Sequence, residues 1–549
     1  MMPTKLLVSN RGEIAIRIMR AAAELGIRTL AIYSEDDAAS LHTRKADEAR
    51  GLRSAGAPAY LDLEQIIAVA KAAGCDAIHP GYGFLSENAK FADRCAEEGI
   101  RFVGPRAEIL KLFGDKVQAR LLAERAGVPV LPGTSGATSL KEAKDFLAAL
   151  GAGGAMMIKA VAGGGGRGIR AVTKIDDVEE AYTRCQSEAR SAFANGDVYV
   201  EQLISRARHL EVQVIGDSAG GVSHLWEREC TIQRRNQKLI EVAPSPRLPP
   251  KLRDRLIAAA VSLAQEVRYD NLGTFEFLVD AGDERREAPF AFIEANPRLQ
   301  VEHTVTEEVT GVDLVKLQLK LAAGYSLAEL GLLQADVPPA RGFAIQARIN
   351  MESMGADGIA KPSGGTISAF EMPSGPGLRV DTFGYAGYTT SPRFDSLLAK
   401  LIAYSPSNDF VDAVAKAYRA LCEVRIEGVA TNIGFLQSLL NHPAFAANQI
   451  YTRFIEDHLG ELIGGANSAH RRLFFENAAT AGNGAASTVG VRVGTKQAGA
   501  KQAGARIDTS DPLAVLHHGK GAGDATMIED TSAPMMPRVS EIDGPDGTV

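Results

Sequence analysis

Residues 290–303 read FAFIEANPRLQVEH, an apolar run that turns polar without leaving its period. Glu294, Asn296, Arg298, Gln300 and Glu302 fall at every second position. In an extended strand these five side chains share one face, because successive Cβ atoms alternate sides. Phe292 has the same parity, while Ile293 and Ala295 face the other way. Acid, amide, base, amide and acid in a row make poor core, since each buried polar group needs a partner. The same row suits a metal, a phosphate and a small anion held side by side. Any fold that accepts it must let an apolar strand run directly into a polar site.

GTFEFLVD at 273–280 and FAFIEAN at 290–296 are separated by nine residues and predict a hairpin. Counting inward from an Asp280–Phe290 pair sets Glu276 opposite Glu294. Two opposed carboxylates destabilise a sheet unless something neutralises them. A divalent cation does so, and Asn296 supplies a third oxygen. Glu276, Glu294 and Asn296 are therefore candidate ligands for Mg2+ or Mn2+ bridging nucleotide phosphates.

Other stretches carry compatible chemistry. AGGGGRGIR at 162–170 follows an apolar strand. Gly163, Gly164, Gly165 and Gly166 leave backbone N–H groups free to wrap an anion, and Arg167 adds charge. A plain turn needs one or two glycines, so a phosphate-covering loop is the better reading; without GKS or GKT it is not a Walker A loop. Lys159 precedes that loop and Lys116 opens a helix after FGD; both are placed to reach a phosphate. In HLEVQV, His209, Glu211 and Gln213 share one face and Leu210, Val212 and Val214 the other; a polar strand face usually meets solvent. Glu201, after the apolar VYV, would suit ribose hydroxyls. ERECTIQRRNQK (227–238) gathers Arg228, Arg234, Arg235 and Lys238 with Gln233 and Asn236, either a solvated basic loop or an anion clamp.

The fold class is multidomain, α/β then α+β. Residues 1–115 alternate strand and helix: KLLVS, a helix Glu13 to Leu25, RTLAIYS, a helix near 63–73, DAIHP, a helix near 87–98 and RFVG. This is a Rossmann-like βαβ series with a parallel sheet, but SNRGEIA lacks the dinucleotide glycines. Residues 116–335 form an antiparallel-rich region with strands at MMIKAV, VYVEQLI, HLEVQVIGD, GVSHLWERE, GTFEFLVD and FAFIEAN. Residues 336–460 are β-rich, with strands at GFAIQARIN, GTISAFEMP and LRVDTF and helices 409–422 and 431–440. The Gly/Ala-rich 461–549, with KQAGAKQAGA, reads as a flexible tail in which DPLAVLHHGK is a short strand.

With 549 residues there is room for several domains at roughly 150 residues each. A net charge of −7 gives no reason to expect nucleic acid or an anionic membrane as partner. No apolar run spans a bilayer and MMPTKLLVSN lacks a signal-peptide core. The five scattered cysteines (Cys75, Cys95, Cys185, Cys230, Cys422) read as reduced thiols of a cytoplasmic protein.

Taken together, SNRGEIAIRI, HPGYGFLSEN, GDK, IKAVAGGGGRGIR, RHLEVQV, ERECTIQRRNQK, GTFEF, FIEANPRLQVEHTVTE and ARIN resemble the biotin carboxylase component of biotin-dependent carboxylases. The likeness runs from about residue 4 to 457. It implies an N-terminal βαβ domain, an ATP-grasp domain and a C-terminal β-rich domain. It also implies a reaction in which ATP and bicarbonate form carboxyphosphate, which carboxylates biotin. By that resemblance Lys116, Lys159, Glu201, His209, Gln233, Asn236 and the glycine loop bind ATP, and Glu276, Glu294 and Asn296 hold Mg2+ or Mn2+. Lys238, Arg298, Gln300 and the Val301 backbone would cradle bicarbonate. Glu302 would take its proton, and Arg348 would stabilise the biotin enolate. Tyr82 and Glu87 would lie beside the same site.

The chain departs from the pattern in three places. Asn236 stands where free-standing bacterial enzymes carry histidine; with Pro297 it looks more like acyl-CoA carboxylase alpha chains. SPRFDSLLAK differs from the doubly aromatic form of that segment. A Met-Lys-Met biotinyl motif is missing, and DGPDGTV resembles the lead-in to such a domain. The expected partners are therefore a biotinyl carrier domain and a carboxyltransferase, as separate chains or as a continuation of this one, and a homo-oligomer is compatible. The alternatives are another ATP-grasp carboxylate ligase and a non-catalytic nucleotide-binding assembly subunit; QVEH and Arg348 argue against the first, the intact base and metal ligands against the second.

Overall fold

The computed structural model describes residues 1–151, 153–161, 168–193, 195–281, 289–355, 357–467 and 470–475. Gly163, Gly164, Gly165, Gly166, Arg167 and DPLAVLHHGK lie outside the described residues.

Short apolar runs in the first hundred residues become β1 (Lys5–Val8), β2 (Arg28–Tyr33), β3 (Glu48–Gly51), β4 (Ala77–His79) and β5 (Arg101–Phe102). They pair in parallel in the order β3-β2-β1-β4-β5, the doubly wound arrangement that right-handed βαβ crossovers produce. The first helix runs Gly12–Glu24. Gly12 has φ +65, and a Cβ there would sit 3.3 Å from the Phe383 ring. The single glycine of SNRGEIA thus answers to a close approach by a distant segment rather than to a dinucleotide.

β6 (Met156–Ala160), β7 (Ile169–Val172) and β8 (Val198–Gln202) form a small antiparallel sheet, β7-β6-β8. Its Met156, Ile158, Val172, Val198 and Val200 pack against Ala143, Leu147, Val178, Tyr182 and Cys185.

The main sheet has eight antiparallel strands. Six are β9 (Ala207–Gly216), β10 (Val222–Arg234), β11 (Gln237–Ala243), β12 (Asn271–Asp280), β13 (Phe290–Asn296) and β14 (Phe343–Asn350). They lie in the order β13-β12-β9-β10-β11-β14, followed by strands Leu397–Ser405 and Leu378–Thr382. One sheet therefore crosses from the central region into the C-terminal region through the β11–β14 pair. The strand Leu397–Ser405 was not anticipated from sequence. LLAKLIAYS is apolar on both parities apart from Lys400 and the terminal Ser405, because both faces are covered, so alternation gives no signal. ERECTIQRRNQK is not a loop either. β10 continues to Arg234, Arg235 and Asn236 take φ of 49° and 63°, and β11 begins at Gln237. This is the two-residue turn with positive φ that suits a twisted hairpin.

The β12–β13 hairpin sets Glu276 opposite Glu294, as counted from sequence, but Phe290 pairs with Val279 rather than Asp280. A register shift between Glu276 and Phe277 leaves Ile293 as the extra residue on β13. The bulge also resolves the parity of Phe292: it and Ala295, three residues apart, both enter the core, while Glu294 and Asn296 turn to the other face. On the apolar face Leu210, Val212, Val214, Phe275 and Phe277 pack against Leu252, Leu256, Ala260 and Leu263 of the helix Pro250–Glu266. A helix Leu459–Asn467 occupies the start of the expected tail. No helix of the described residues is long and apolar enough to cross a membrane. All five cysteines are unpaired and buried.

Two buried histidines give the N-terminal region a pH dependence. The His42 ring meets Ser40 Oγ at 2.9 Å and the Ile32 carbonyl at 3.0 Å; His79 Nδ1 accepts the Gly81 amide at 3.0 Å. Burial pushes His42 down to about 4 and His79 down to about 3. Each ring is neutral when folded yet binds a proton near pH 6.5 when unfolded. Stability therefore falls as pH drops below that value and goes on falling until the folded pKa is reached. Between pH 7 and pH 5 each ring should cost about 2 kcal/mol. Urea midpoints at the two pH values measure this, and equal midpoints would contradict it.

Candidate active site

The polar face of the main sheet carries a row in continuous register. Arg228 on β10 pairs with Glu211 on β9, Glu211 with Glu276 on β12, and Glu276 with Glu294 on β13. The alternation in HLEVQV does not point to solvent: His209, Glu211 and Gln213 are all buried. Arg228 is fully buried and its donors are spent within the protein. It is paired with Glu211, and it donates to Gln213 Oε1 at 2.8 Å, Thr306 Oγ1 at 2.9 Å and Thr274 Oγ1 at 3.0 Å. Arg234 is likewise held by Glu352 at 2.7 and 3.0 Å, so neither arginine is an anion clamp.

Lys238, at the start of β11, fills the centre. Its ammonium donates to Glu211 Oε2 at 2.7 Å, Glu276 Oε1 at 3.0 Å and Glu302 Oε1 at 2.6 Å. Burial opposes the charge, but Glu211, Glu276 and Glu302 outweigh it and hold the lysine well above its usual range. Glu276 Oε1 also accepts from Asn296 Nδ2 at 2.9 Å and Gln300 Nε2 at 3.2 Å, and its Oε2 lies 2.7 Å from His209 Nε2. Gln233 Nε2 lies 2.7 Å from His209 Nδ1. If that amide donates, the imidazole proton sits on Nε2, towards Glu276.

Beyond Asn296 the expected strand stops: β13 ends there and the helix His303–Thr310 begins seven residues later. Arg298, Gln300 and Glu302 still converge on the site, from a loop. Arg298 Nη2 donates to Asn296 Oδ1 at 3.0 Å, its Nη1 to Gln300 Oε1 at 3.2 Å, and its Nε lies 3.1 Å from Glu87. Glu302 is fully buried; besides Lys238 it accepts Arg348 Nη2 at 3.0 Å. Burial alone would raise its pKa, yet Lys238, Arg348 and Arg228 hold the carboxyl well below the usual carboxylate range. The Val301 carbonyl accepts Lys400 Nζ at 3.1 Å. Tyr82 reaches the region through Glu13, whose other oxygen lies 3.0 Å from Lys400.

The nucleotide candidates form two ion pairs. Lys116, behind the helix cap Asp115, sits 2.8 Å from Glu294. Lys159 on β6 is paired with Glu201 on β8. Burial would raise Glu294, but Lys116 and then Lys159 more than offset it, so the carboxyl lies low. Asn236 is not drawn into this group: it is exposed at the hairpin tip, where its tolerance of positive φ accounts for the residue type.

Sequence reasoning missed four contributors. Glu241 on β11 pairs with Arg348 and accepts Gln346 Nε2 at 3.0 Å. Lys400 and Glu13 are buried partners. Gln346 and Arg348 share a parity in FAIQARIN, which was a usable signal; a lone lysine in LLAKLIAYS was another. The hard oxygens of Glu276, Glu294 and Asn296 fit Mg2+. His209, Glu211 and Glu276 also bring ligand atoms within 4.8 Å, but Glu211 is tied to Arg228 and Lys238, which leaves Glu294 the more available carboxylate.

Three family models match the chain: "Biotin carboxylase, N-terminal domain" at residues 2–110, "Carbamoyl-phosphate synthase L chain, ATP binding domain" at 115–330 and "Biotin carboxylase C-terminal domain" at 346–457. Human mitochondrial pyruvate carboxylase is 49% identical over 479 residues, 86% of this chain and 40% of that protein. Staphylococcus aureus pyruvate carboxylase is 51% identical over 459 residues, 82% of this chain and 39% of that protein. The chain thus spans about 40% of the length of these relatives. Among solved structures, the biotin carboxylase domain dimer of Hydrogenobacter thermophilus 2-oxoglutarate carboxylase, with MgADP and bicarbonate, is 42% identical with a TM-score of 0.79. The match covers 84% of this chain and 99% of that one. The biotin carboxylase domain of a single-chain bacterial carboxylase is 48% identical with a TM-score of 0.74, covering 84% and 99%.

Arg228→Met should leave Glu211 with Lys238 as its one remaining cation and lower stability by about 3–5 kcal/mol, the cost of breaking a buried pair from one side. Arg228→Met/Glu211→Gln should recover most of that loss. Urea denaturation of both variants checks the pair, and equal losses would show that Arg228 acts by packing alone.

Proposed function

The chain belongs to the biotin carboxylase family, and from that premise we propose that it carries out the first half-reaction of a biotin-dependent carboxylase. ATP and bicarbonate form carboxyphosphate, and biotin presented on a carrier domain is carboxylated. The single observation that carries this reading is Glu302, a buried carboxylate held between Lys238 and Arg348.

Each described residue has a role that its surroundings support, and the glycine loop takes the role that the resemblance implies. Lys116, Lys159, Glu201, His209 and Gln233 contact ATP, joined by Gly163, Gly164, Gly165 and Gly166, whereas Asn236 is left to the turn. Glu276, Glu294 and Asn296 hold Mg2+, which neutralises phosphate charge when bound. Lys238, Arg298, Gln300 and the Val301 backbone orient bicarbonate, a weak nucleophile that gains most from positioning. Glu302 takes the bicarbonate proton. In the free protein it is ionised but a weak base. An arriving anion shares Lys238 and Arg348 and adds its own negative charge, and both effects raise the basicity of Glu302 when a proton is there to remove. Arg348 then stabilises the negative charge on the biotin oxygen, with Tyr82 and Glu87 at the biotin side.

The final acceptor belongs to a carboxyltransferase. Asn236 and Pro297 support an acyl-CoA acceptor; the pyruvate carboxylase relatives support a keto acid instead. Either fits the same half-reaction. A homodimer is the proposed assembly, in line with the Hydrogenobacter thermophilus domain dimer. The unpaired cysteines fit a reducing compartment such as the cytoplasm.

ATP cleavage should require bicarbonate and rise with free biotin; folded protein without that response would refute the reading. Glu302→Gln should keep ATP affinity and lose turnover by at least about 100-fold. A parallel loss of nucleotide binding in equilibrium titrations would assign Glu302 a structural role.

A further inference from the structure

The carbonyls leading up to Glu302 are each held by a different group. Arg298 Nη1 holds the Leu299 carbonyl at 3.3 Å, and His303 Nδ1 lies 2.8 Å from that of Gln300. Both holders come from the same segment. The Val301 carbonyl is different: its donor, Lys400, arrives from the strand Leu397–Ser405, ninety-nine residues away in sequence. Lys400 is fully buried, with Glu13 Oε2 at 3.0 Å and Asp381 Oδ2 at 3.8 Å. Glu13 lies on the first helix and accepts the Tyr82 hydroxyl. One ammonium therefore ties the N-terminal helix, the C-terminal part of the sheet and the catalytic loop together. It touches none of Glu302, Lys238 or Arg348 by hydrogen bond.

The Val301 carbonyl and the Glu302 Cα belong to one planar peptide unit. Whatever fixes that carbonyl fixes the plane from which the Glu302 side chain departs. We propose that Lys400 is the positioning residue for the bicarbonate side of the site: it locks the 301–302 peptide so that Glu302 meets bicarbonate at hydrogen-bonding distance. It also couples that peptide, through Glu13, to Tyr82 on the biotin side. This rests on the functional reading above only for the identity of the substrate; the locking itself is a property of the fold.

Lys400→Met alone would leave Glu13 buried without its cation, Asp381 keeping Arg379, and could simply unfold the protein. The test variant is Lys400→Met/Glu13→Gln, which removes one charge of each sign and retains a side-chain oxygen opposite Tyr82. Two readouts are taken on the full chain. Amide hydrogen exchange in residues 300–303 should be faster by about tenfold or more, the effect of losing one charged hydrogen bond, with β9, β12 and β14 unchanged. In bicarbonate-dependent ATP cleavage, the KM for bicarbonate should rise by about tenfold or more while the KM for ATP stays within about twofold. Unchanged exchange in 300–303, or equal rises in both KM values, would overturn the proposal. If the parent protein shows no bicarbonate-dependent cleavage, the functional reading fails, and the exchange measurement alone still decides whether Lys400 locks the peptide.

Discussion

Three carboxylates in one register row across the middle of a sheet are the constraint on which the structure turns. Glu211, Glu276 and Glu294 are consecutive cross-strand neighbours, and Glu302 is added to them from a loop. Left to themselves they would repel and protonate. Cations arrive from several directions to offset that repulsion: Arg228 from the end of the row, Lys238 from the next strand, Lys116 from a helix start and Arg348 from across the sheet, and Glu276, Glu294 and Glu302 are held below the usual carboxylate range. The two kinds of cation differ. Arg228 has its donors spent on Glu211, Gln213, Thr274 and Thr306 and serves the fold. Lys238, Lys116 and Arg348 are held by carboxylates that themselves belong to the site, so an incoming anion can share them. The site is thus charged and organised before a ligand arrives, the condition under which fixed dipoles and charges lower a barrier most effectively.

The same economy joins the regions of the chain. The main sheet passes without a break from β13 to the strand Leu378–Thr382, so Glu276, Glu294 and Arg348 belong to one sheet. The N-terminal region is fastened to it by buried polar contacts. Within that region Arg11 binds Asp37 through two hydrogen bonds of 2.6 and 2.8 Å and Tyr60 donates to the same carboxylate at 3.0 Å; this holds the guanidinium 3.8 Å above the Phe394 ring, beyond the region. Arg17 and Arg379 both grip Glu307 on the helix that follows Glu302. Buried pairs of this kind contribute little net stability, since desolvation offsets the attraction, but they tolerate little displacement. Their value here is geometric: Arg17 holds the first helix against the helix that follows Glu302, while Glu87 and Tyr82 tie HPGYGFLSEN to Arg298 and Glu13.

The sheet bulge at Ile293 is a small feature with a large effect. A strict alternation through residues 290–302 would carry Phe292 onto the polar face with Glu294. The extra residue lets Phe292 and Ala295 both enter the core and leaves Glu294 and Asn296 on the site. Bulges redirect side chains at the rims of sheets, and this one makes the change from apolar strand to polar site possible within three residues.

Much of this was legible beforehand. The parallel sheet, the antiparallel region and the Glu276–Glu294 pairing follow from parity and spacing, because those are local properties that a chain displays in order; Arg348, Tyr82 and Glu87 are pointed to by the family resemblance alone. What escaped the reading has a common cause. The strand Leu397–Ser405 is covered on both faces and shows no alternation. In ERECTIQRRNQK, Arg228, Arg234 and Lys238 are paired with carboxylates of the interior, and only the tip at Arg235, Asn236 and Gln237 is exposed. Glu241, Lys400 and Glu13 act through partners far off in sequence, as do Arg17 and Glu307, 290 residues apart. The sequence by itself determined which kinds of group this site contains. Only the tertiary structure decided which carboxylate each cation neutralises, since that choice depends on register, a bulge and contacts between distant segments.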